Sequence, residues 1–294
     1  MEFRTIGVVG NGYVGGATSF LGNHLAVNPA KEVKMFLYDI NPDLCSHDDI
    51  TLQTLSEVCD FIFVCVPTPM EPDGSCSTYE VSKTVIKLAD FGFSKERIIV
   101  RSTVSVGTCR DLGVMYMPEF LTEKRWKEDF FNQKRWILGT NDRNDKIRDE
   151  LYEIFRQAHE NGALLNPPEI NFMTTEEAEL IKYVRNGFLA TKVSFFNEIY
   201  DFCKSLNIDY EQVRKGVVMD DRIGESHSQV PGPDGKRGFG GTCFPKDMMA
   251  LEEQLSKFTP LEDHLSVIKT CNKRNNKLDR PEKDWKKNKG RTVL

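Results

Sequence analysis

Apolar runs of strand length alternate with helically spaced segments over the first half of this chain. Thr5–Val9 is one such run and leads into Gly10-Asn11-Gly12-Tyr13-Val14-Gly15. Ala17, Phe20, Leu21 and His24 follow at helical spacing, and residues 33–38 form a second β-like run that ends at Asp39. Further β-like runs cover residues 61–66, 98–102, 114–117 and 136–138, with helical segments near 78–90 and 142–160 between some of them. This alternation predicts an α/β fold, a Rossmann-like doubly wound sheet. The second half reads as helical. Thr174 and Glu177 have capping-box spacing, and a long helix is expected from about residue 175 to 205. Pro245 suits the first turn of another helix, continuing through Glu253. The expected organisation is a nucleotide-binding domain over 1–170, a helical central domain over 171–278 and a basic tail over 279–294.

Strand, glycine turn, helix, strand and acid in that order are what a dinucleotide-binding turn requires. Gly10 permits the tight turn, Gly12 lets the backbone approach a pyrophosphate, and Gly15 lets helix and strand pack closely. The helix N-terminus meets the phosphate charge. Asp39 can accept from ribose hydroxyls, which favours NAD over its phosphorylated relative. Two other strand ends are polar, Val66-Pro67-Thr68-Pro69 and Ser102-Thr103-Val104, where a ligand crevice or ordinary turn capping would both use threonine. Glu119 and Glu123 share a face if their turn is helical, as an acid/base pair or as solvated surface acids.

The strongest chemical signal lies at Gly238-Phe239-Gly240-Gly241-Thr242-Cys243-Phe244-Pro245-Lys246-Asp247. A glycine-rich loop brings a cysteine to a helix start, where unpaired N–H groups and the Lys246 ammonium favour thiolate. Cys243 is therefore a candidate nucleophile, against the alternative of a small residue buried in a turn. Lys182 and Asn186 lie one helical turn apart and could orient an oxyanion or form a solvated stripe. Arg222 offers bidentate contact to phosphate or carboxylate, or an ion pair to a neighbouring acid.

With 294 residues, 39% hydrophobic and 28% charged, the chain suits a soluble protein with two proper cores. No apolar run reaches membrane-spanning length and no signal pattern opens the chain, so a cytoplasmic, reduced setting is expected for its eight cysteines. The five scattered histidines predict no metal site. Net charge is −5 overall, yet residues 269–291 hold ten Lys/Arg against three acids, leaving +7 there and −12 elsewhere. With few aromatics beside it, this end is expected to be solvated and partly disordered, with no nucleic-acid or membrane partner.

Together these segments resemble the UDP-glucose/GDP-mannose dehydrogenase family. The resemblance rests on Gly10 to Gly15, Val66-Pro67-Thr68-Pro69, Ser102-Thr103-Val104, Pro118-Glu119-Phe120-Leu121-Thr122-Glu123, Ala178-Glu179-Leu180-Ile181-Lys182 with Asn186, Arg222-Ile223-Gly224 and the cysteine loop, in family order over residues 5–275. It implies four-electron oxidation of a nucleotide sugar 6-hydroxyl to the carboxylate with NAD, UDP-glucose to UDP-glucuronate. In that scheme Cys243 forms a thiohemiacetal and then a thioester. Lys182 and Asn186 stabilise the oxyanion, Asp247 positions water, and Glu119 with Thr103 moves protons. The implied cofactor contacts are Gly10, Gly12, Tyr13, Val14, Gly15, Asp39, Pro67, Thr68, Ser102, Thr103, Glu123 and Lys246. The implied substrate contacts are Glu119, Phe120, Leu121, Lys182, Asn186, Phe239 and Gly240, with Arg222 reaching a neighbouring subunit. A homodimer through the long central helix is expected. Met117 departs from the family's asparagine before Pro118-Glu119, and the family's further nucleotide-binding domain is not contained in residues 1–294. Three other readings remain open: a non-catalytic NAD-binding dimeric remnant, a dehydrogenase for GDP-mannose or another sugar nucleotide, and a one-step dehydrogenase for a smaller substrate.

Overall fold

The computed structural model describes residues 4–22, 34–141, 145–259 and 265–294. His24 and Val33, both in predicted elements, lie outside them. The chain divides into two compact units, residues 1–68 with 78–182 and residues 69–77 with 183–294.

The first unit is built on a seven-stranded sheet. Its strands are β1 (Thr5–Val9), β2 (Lys34–Tyr38), β3 (Phe61–Val64), β4 (Ile98–Val100), β5 (Met115–Tyr116), β6 (Arg135–Gly139) and β7 (Glu169–Met173), in the order β2-β1-β3-β4-β5-β6-β7. All neighbours are parallel except β5 and β6, which meet antiparallel at Tyr116 and Gly139. Strand periodicity sorts the apolar residues onto two faces. Ile6, Val8, Phe61, Phe63 and Ile99 pack with Trp136, Ile154 and Phe155 on one face. Val9, Ile62, Val64, Ile98 and Val100 pack with Leu55, Val85 and Leu88 on the other. Covering helices are α1 (Tyr13–Thr18), α2 (Leu52–Val58), α3 (Tyr79–Asp90), α4 (Thr108–Leu112), α5 (Trp126–Asn132) and α6 (Asp145–Glu160). The Rossmann-like doubly wound sheet expected from the sequence is thus present.

Several boundaries differ from the sequence reading. β3 and β4 stop two residues early, because Pro67 cannot donate to a ladder and the chain turns after each strand. β7 was not predicted. It is a half-exposed edge strand that begins with Glu169 just after Pro167-Pro168, so its apolar signal is weak. α7 (Thr175–Ser205) has the predicted capping box: Thr174 N donates to Glu177 Oε2 at 2.8 Å and Glu177 N to Thr174 Oγ1 at 3.3 Å. The chain passes between units inside this helix, after Lys182, rather than at residue 171. A Cβ on Gly139 would lie 2.8 Å from the Thr175 Cα and 2.9 Å from the Ala178 Cβ, so the first turns of α7 pack tightly on β6.

The second unit contains the rest of α7 with α8 (Tyr210–Val218), α9 (Phe244–Phe258) and α10 (Val267–Arg274). One apolar cluster joins Ala190, Phe239, Met248 and Cys271, and another joins Phe196, Cys203, Tyr210 and Val230. Residues 69–77 also belong here, with Gly74 against Met249. The C-terminal segment is not the loose end predicted from its charge. Trp285 is 4% exposed, Met70 N donates to the Thr292 carbonyl at 2.8 Å, and Leu294 N donates to the Met70 carbonyl at 3.2 Å. A single buried tryptophan and a short backbone ladder outweigh a composition that suggested disorder. No helix among the described residues is long and apolar enough to cross a membrane.

Candidate active site

In the first unit the glycine turn has the shape a dinucleotide requires. Gly10 sits at φ +90°, and a Cβ there would come within 2.7 Å of the Cys65 carbonyl oxygen. A Cβ on Gly15 would overlap the Gly10 carbonyl, whereas one on Gly12 would meet nothing within 4 Å. The open side of Gly12 is where a pyrophosphate can approach the start of α1, whose N-cap carries no side-chain hydrogen bond. Asp39 follows β2, and its Oδ2 accepts from Asn11 N at 2.7 Å, tying the acid to the turn. These residues fit NAD: a donor-lined helix start for phosphate and a carboxylate at the adjacent strand end for ribose. Tyr13 and Val14 form the first turn of α1, and the Val14 carbonyl accepts from Thr18 Oγ1 at 2.7 Å.

Thr68, Ser102 and Thr103 follow β3 and β4 and are each less than 9% exposed. Pro67 directly precedes Thr68. Ser102 Oγ donates to the Val66 carbonyl at 2.6 Å, joining the two strand ends. Glu119 and Glu123 do not share a helical face. Residues 118–122 are irregular, α5 begins only at Trp126, Glu119 is buried and Glu123 is exposed. Pro118 and the side-chain bond described next hold the segment out of helix. Glu119 Oε2 accepts from Leu121 N at 2.8 Å, while Oε1 and the Glu119 carbonyl accept from Lys182 Nζ at 2.6 and 2.7 Å. Phe120 lies beside the pair, its ring centroid 5.9 Å from Lys182 Nζ.

The second unit carries the thiol. Cys243 is the N-cap of α9, and its carbonyl accepts from Asp247 N at 3.0 Å in the first turn. Asp247 is 2% exposed and holds two partners: Lys246 Nζ at 2.5 Å on Oδ1 and Asn186 Nδ2 at 2.6 Å on Oδ2. Burial works against the Lys246 charge, but Asp247, Cys76 and Cys243 outweigh it and raise the lysine above its ordinary value. Lys246, expected to meet the cofactor, is positioned here by Asp247. Phe239 turns its ring into the core, and its backbone is clamped by Asn275, whose Oδ1 accepts from Phe239 N at 2.9 Å and whose Nδ2 donates to the Phe239 carbonyl at 3.0 Å. Gly240 follows directly. Arg222 is exposed and bonded to Asp220 at 2.5 Å, the ion-pair alternative left open by the sequence.

Two buried groups had no sequence signal of their own. Glu179, fully buried on α7, accepts from Gly107 N at 2.6 Å and Cys109 N at 2.9 Å, so it caps α4 and fixes the loop that carries Thr103. Burial raises its carboxyl pKa despite those donors. Arg101, 1% exposed after β4, donates to Thr18 Oγ1 at 2.8 Å beneath α1, and burial lowers its pKa against the opposing pull of Cys65, Glu119 and Tyr116. An acid three residues before Lys182 and a basic residue ending a strand look like ordinary surface charges until the fold buries them.

Comparison with known proteins gives the family. Residues 45–159 match the NAD binding domain of the UDP-glucose/GDP-mannose dehydrogenase family, and residues 176–277 match its central domain. The UDP-glucose 6-dehydrogenase of Rickettsia bellii (strain RML369-C) is 34% identical over 201 residues, 65% of this chain and 44% of that protein. The enzyme of the same name from Rhizobium meliloti (strain 1021) is 33% identical over 214 residues, 68% and 47% respectively. This chain therefore spans about half the length of these curated relatives. The structure of a UDP-glucose dehydrogenase from the archaeon Pyrobaculum islandicum superimposes with a TM-score of 0.74 at 26% identity, covering 94% of this chain and 68% of that one. With Glu119 in the first matched stretch and Lys182 and Cys243 in the second, the chain belongs to the UDP-glucose/GDP-mannose dehydrogenase family.

Proposed function

We propose that this protein oxidises the 6-hydroxyl of a nucleotide sugar to a carboxylate in two NAD-dependent steps, with UDP-glucose as substrate. The observation that carries the reading is Cys243 at the start of α9, beside the buried Lys246–Asp247–Asn186 chain. One-step alcohol oxidation would need no such thiol. Bound NAD supplies the hydride acceptor at each oxidation. In the first, the alcohol loses its C6 hydride and its hydroxyl proton, the proton passing through Glu119 and Thr103. The Cys243 sulfur then adds to the aldehyde carbon, and the carbonyl oxygen takes up a proton as a thiohemiacetal. Loss of the second hydride and that proton leaves a thioester. Water, positioned by Asp247, adds to the thioester carbon, and release of the thiol yields the acid. Lys182 and Asn186 stabilise the oxyanions. Pro67, Thr68, Ser102 and Glu123 serve as the remaining cofactor contacts, and Phe120, Leu121, Phe239 and Gly240 as substrate contacts.

The deciding measurement is NADH released per molecule of limiting UDP-glucose. Two equivalents are expected. None, with UDP-glucose, GDP-mannose and UDP-N-acetylmannosamine all tried, would replace the proposal with a non-catalytic NAD-binding role.

A homodimer forms part of the proposal. Val184, Phe188, Phe195 and Phe202 recur at spacings of four and seven along α7 and are 53–68% exposed. Four large apolar side chains in one helical stripe favour burial against a second copy, where Arg222 would act on the partner's substrate. Phe188→Glu is expected to shift the protein to monomer in sedimentation velocity. A variant that sediments like the parent would refute this interface.

A further inference from the structure

The loop that delivers the thiol has little stiffness of its own. Between Phe239 and Cys243 lie Gly240, Gly241 and Thr242, and Gly241 sits at φ +75° with nothing within 4 Å of the place a Cβ would take. Paired glycines leave the backbone freer than other residues do, so the position of Cys243 has to be set from the two ends of this stretch. The far end is α9, where Asp247 N donates to the Cys243 carbonyl at 3.0 Å. The near end is Phe239, the last residue before the glycines.

Asn275 holds that near end. It is fully buried, its Oδ1 accepts from Phe239 N at 2.9 Å and its Nδ2 donates to the Phe239 carbonyl at 3.0 Å. One side chain thus pairs both backbone groups of a single residue, as a neighbouring strand would. The approach is so close that a Cβ on Gly238, at φ +65°, would overlap Oδ1. Asn197, on α7, fixes the residue before, its Oδ1 accepting from Gly238 N at 3.2 Å. Three residues before Asn275, on α10, Asn272 is 3% exposed, and its Nδ2 donates to the Met248 carbonyl at 3.0 Å and to Glu252 Oε2 at 2.7 Å. The same stretch of chain therefore grips α9 after the thiol and the loop before it. Asn275 opens a single π turn, Asn275–Asp279, closed by Arg280 N on the Asn275 carbonyl at 2.8 Å. That wide turn sets Asn275, Asp279 and Arg280 together against Gly238.

We infer that Asn275 is the positioning residue for the Cys243 thiol, fixing the point from which the glycine stretch departs and tying it to α9 through α10. The chemical consequence rests on the proposed function, because the sulfur must meet an aldehyde carbon; the clamp itself does not. A misplacement of about 1 Å can cost roughly a hundredfold in such a step. The first oxidation does not use the sulfur, so the loss falls on the second.

The test compares the full chain with N275A, N275D and, as a control for lost stability alone, C203A in another apolar cluster of the second unit. Amide hydrogen exchange over residues 238–243 should quicken about tenfold or more in N275A, with α8 unchanged, and should stay at the parental rate in C203A. In single turnover at saturating UDP-glucose and NAD, N275A should release the second NADH about tenfold or more slowly, with the first within about twofold of the parent. NAD affinity, which belongs to the first unit, should not move. N275D supplies the sharper readout. Ionised, the new carboxyl sets an acceptor against the Phe239 carbonyl; protonated, its O–H donates there as the amide does. The neighbouring Arg237, Arg274 and Arg280 are already engaged by Asp201 on α7 and by Asp279, Asp234 and Asp284. Burial among those acids favours the protonated form. The rate of second NADH release in N275D, divided by that of the parent, should therefore rise as pH falls, while the N275A ratio stays level. Unchanged exchange over 238–243 in N275A, an equal effect from C203A, or an N275D ratio that ignores pH would each overturn the inference. So would parental rates for both NADH equivalents despite a loosened loop, an outcome that keeps the functional proposal. A loosened loop in a protein whose parent releases no NADH does the reverse: it refutes the chemistry and keeps the clamp.

Discussion

Cys243→Ala is expected to abolish release of the second NADH equivalent and to lower turnover to acid by roughly a thousandfold or more, as loss of a covalent nucleophile generally does. The reason is local. Cys243 is the N-cap of α9, and its side chain caps no backbone group, so alanine removes the sulfur with little change to the helix. The clamp on Phe239 by Asn275 and the Asp247 bonds to Lys246 and Asn186 remain. A loss of activity would then report chemistry rather than folding. Cys243→Ser is the sharper variant, because a hydroxyl preserves volume but forms an ester in place of the more reactive thioester. Quantifying NADH and sugar acid together decides the matter. Full production of acid by Cys243→Ala would remove Cys243 from the mechanism.

Glu119→Leu is expected to destabilise the first unit by about 3–5 kcal/mol, the usual cost of breaking a buried ion pair from one side. Lys182 and Glu119 have side chains only 4% and 5% exposed, at 2.6 Å. Removing the carboxylate leaves the Lys182 ammonium uncompensated, and Arg101, whose guanidinium also feels Glu119, loses a favourable partner. Glu119→Leu with Lys182→Met should recover much of the loss, because the double change removes charge of both signs. Denaturant unfolding followed by tryptophan fluorescence reads this directly, since Trp126 and Trp136 lie in the first unit. If the double variant is no more stable than the single one, the pair is not what holds this segment. The pair also explains why the two glutamates separate: Glu119 is drawn inward by Lys182 and by its own bond to Leu121 N, while Glu123 stays at the surface.

What the sequence determined by itself was everything written in local pattern. Short apolar runs give β1 to β4. The Thr174–Glu177 box starts α7 and Pro245 marks the first turn of α9, each within a single turn of chain, and the glycine turn with the acid ending the next strand announces NAD within about thirty residues. β7 escaped because it is short, follows Pro167-Pro168 and alternates polar with apolar residues, so it lacks the continuous apolar run that marks the buried strands. The tertiary structure decided what happens to charge. Whether Glu179 caps α4, whether Arg101 lies under α1, and whether Asp284 faces Arg280 or water depends on partners 4 to 83 residues away. A charged side chain has the same appearance in a sequence whether solvated or buried, and only packing sets the desolvation that separates those states. The basic C-terminal segment shows this most plainly: its composition argues for a loose end, while Trp285, Thr292 and Arg280 fold it back onto the thiol loop.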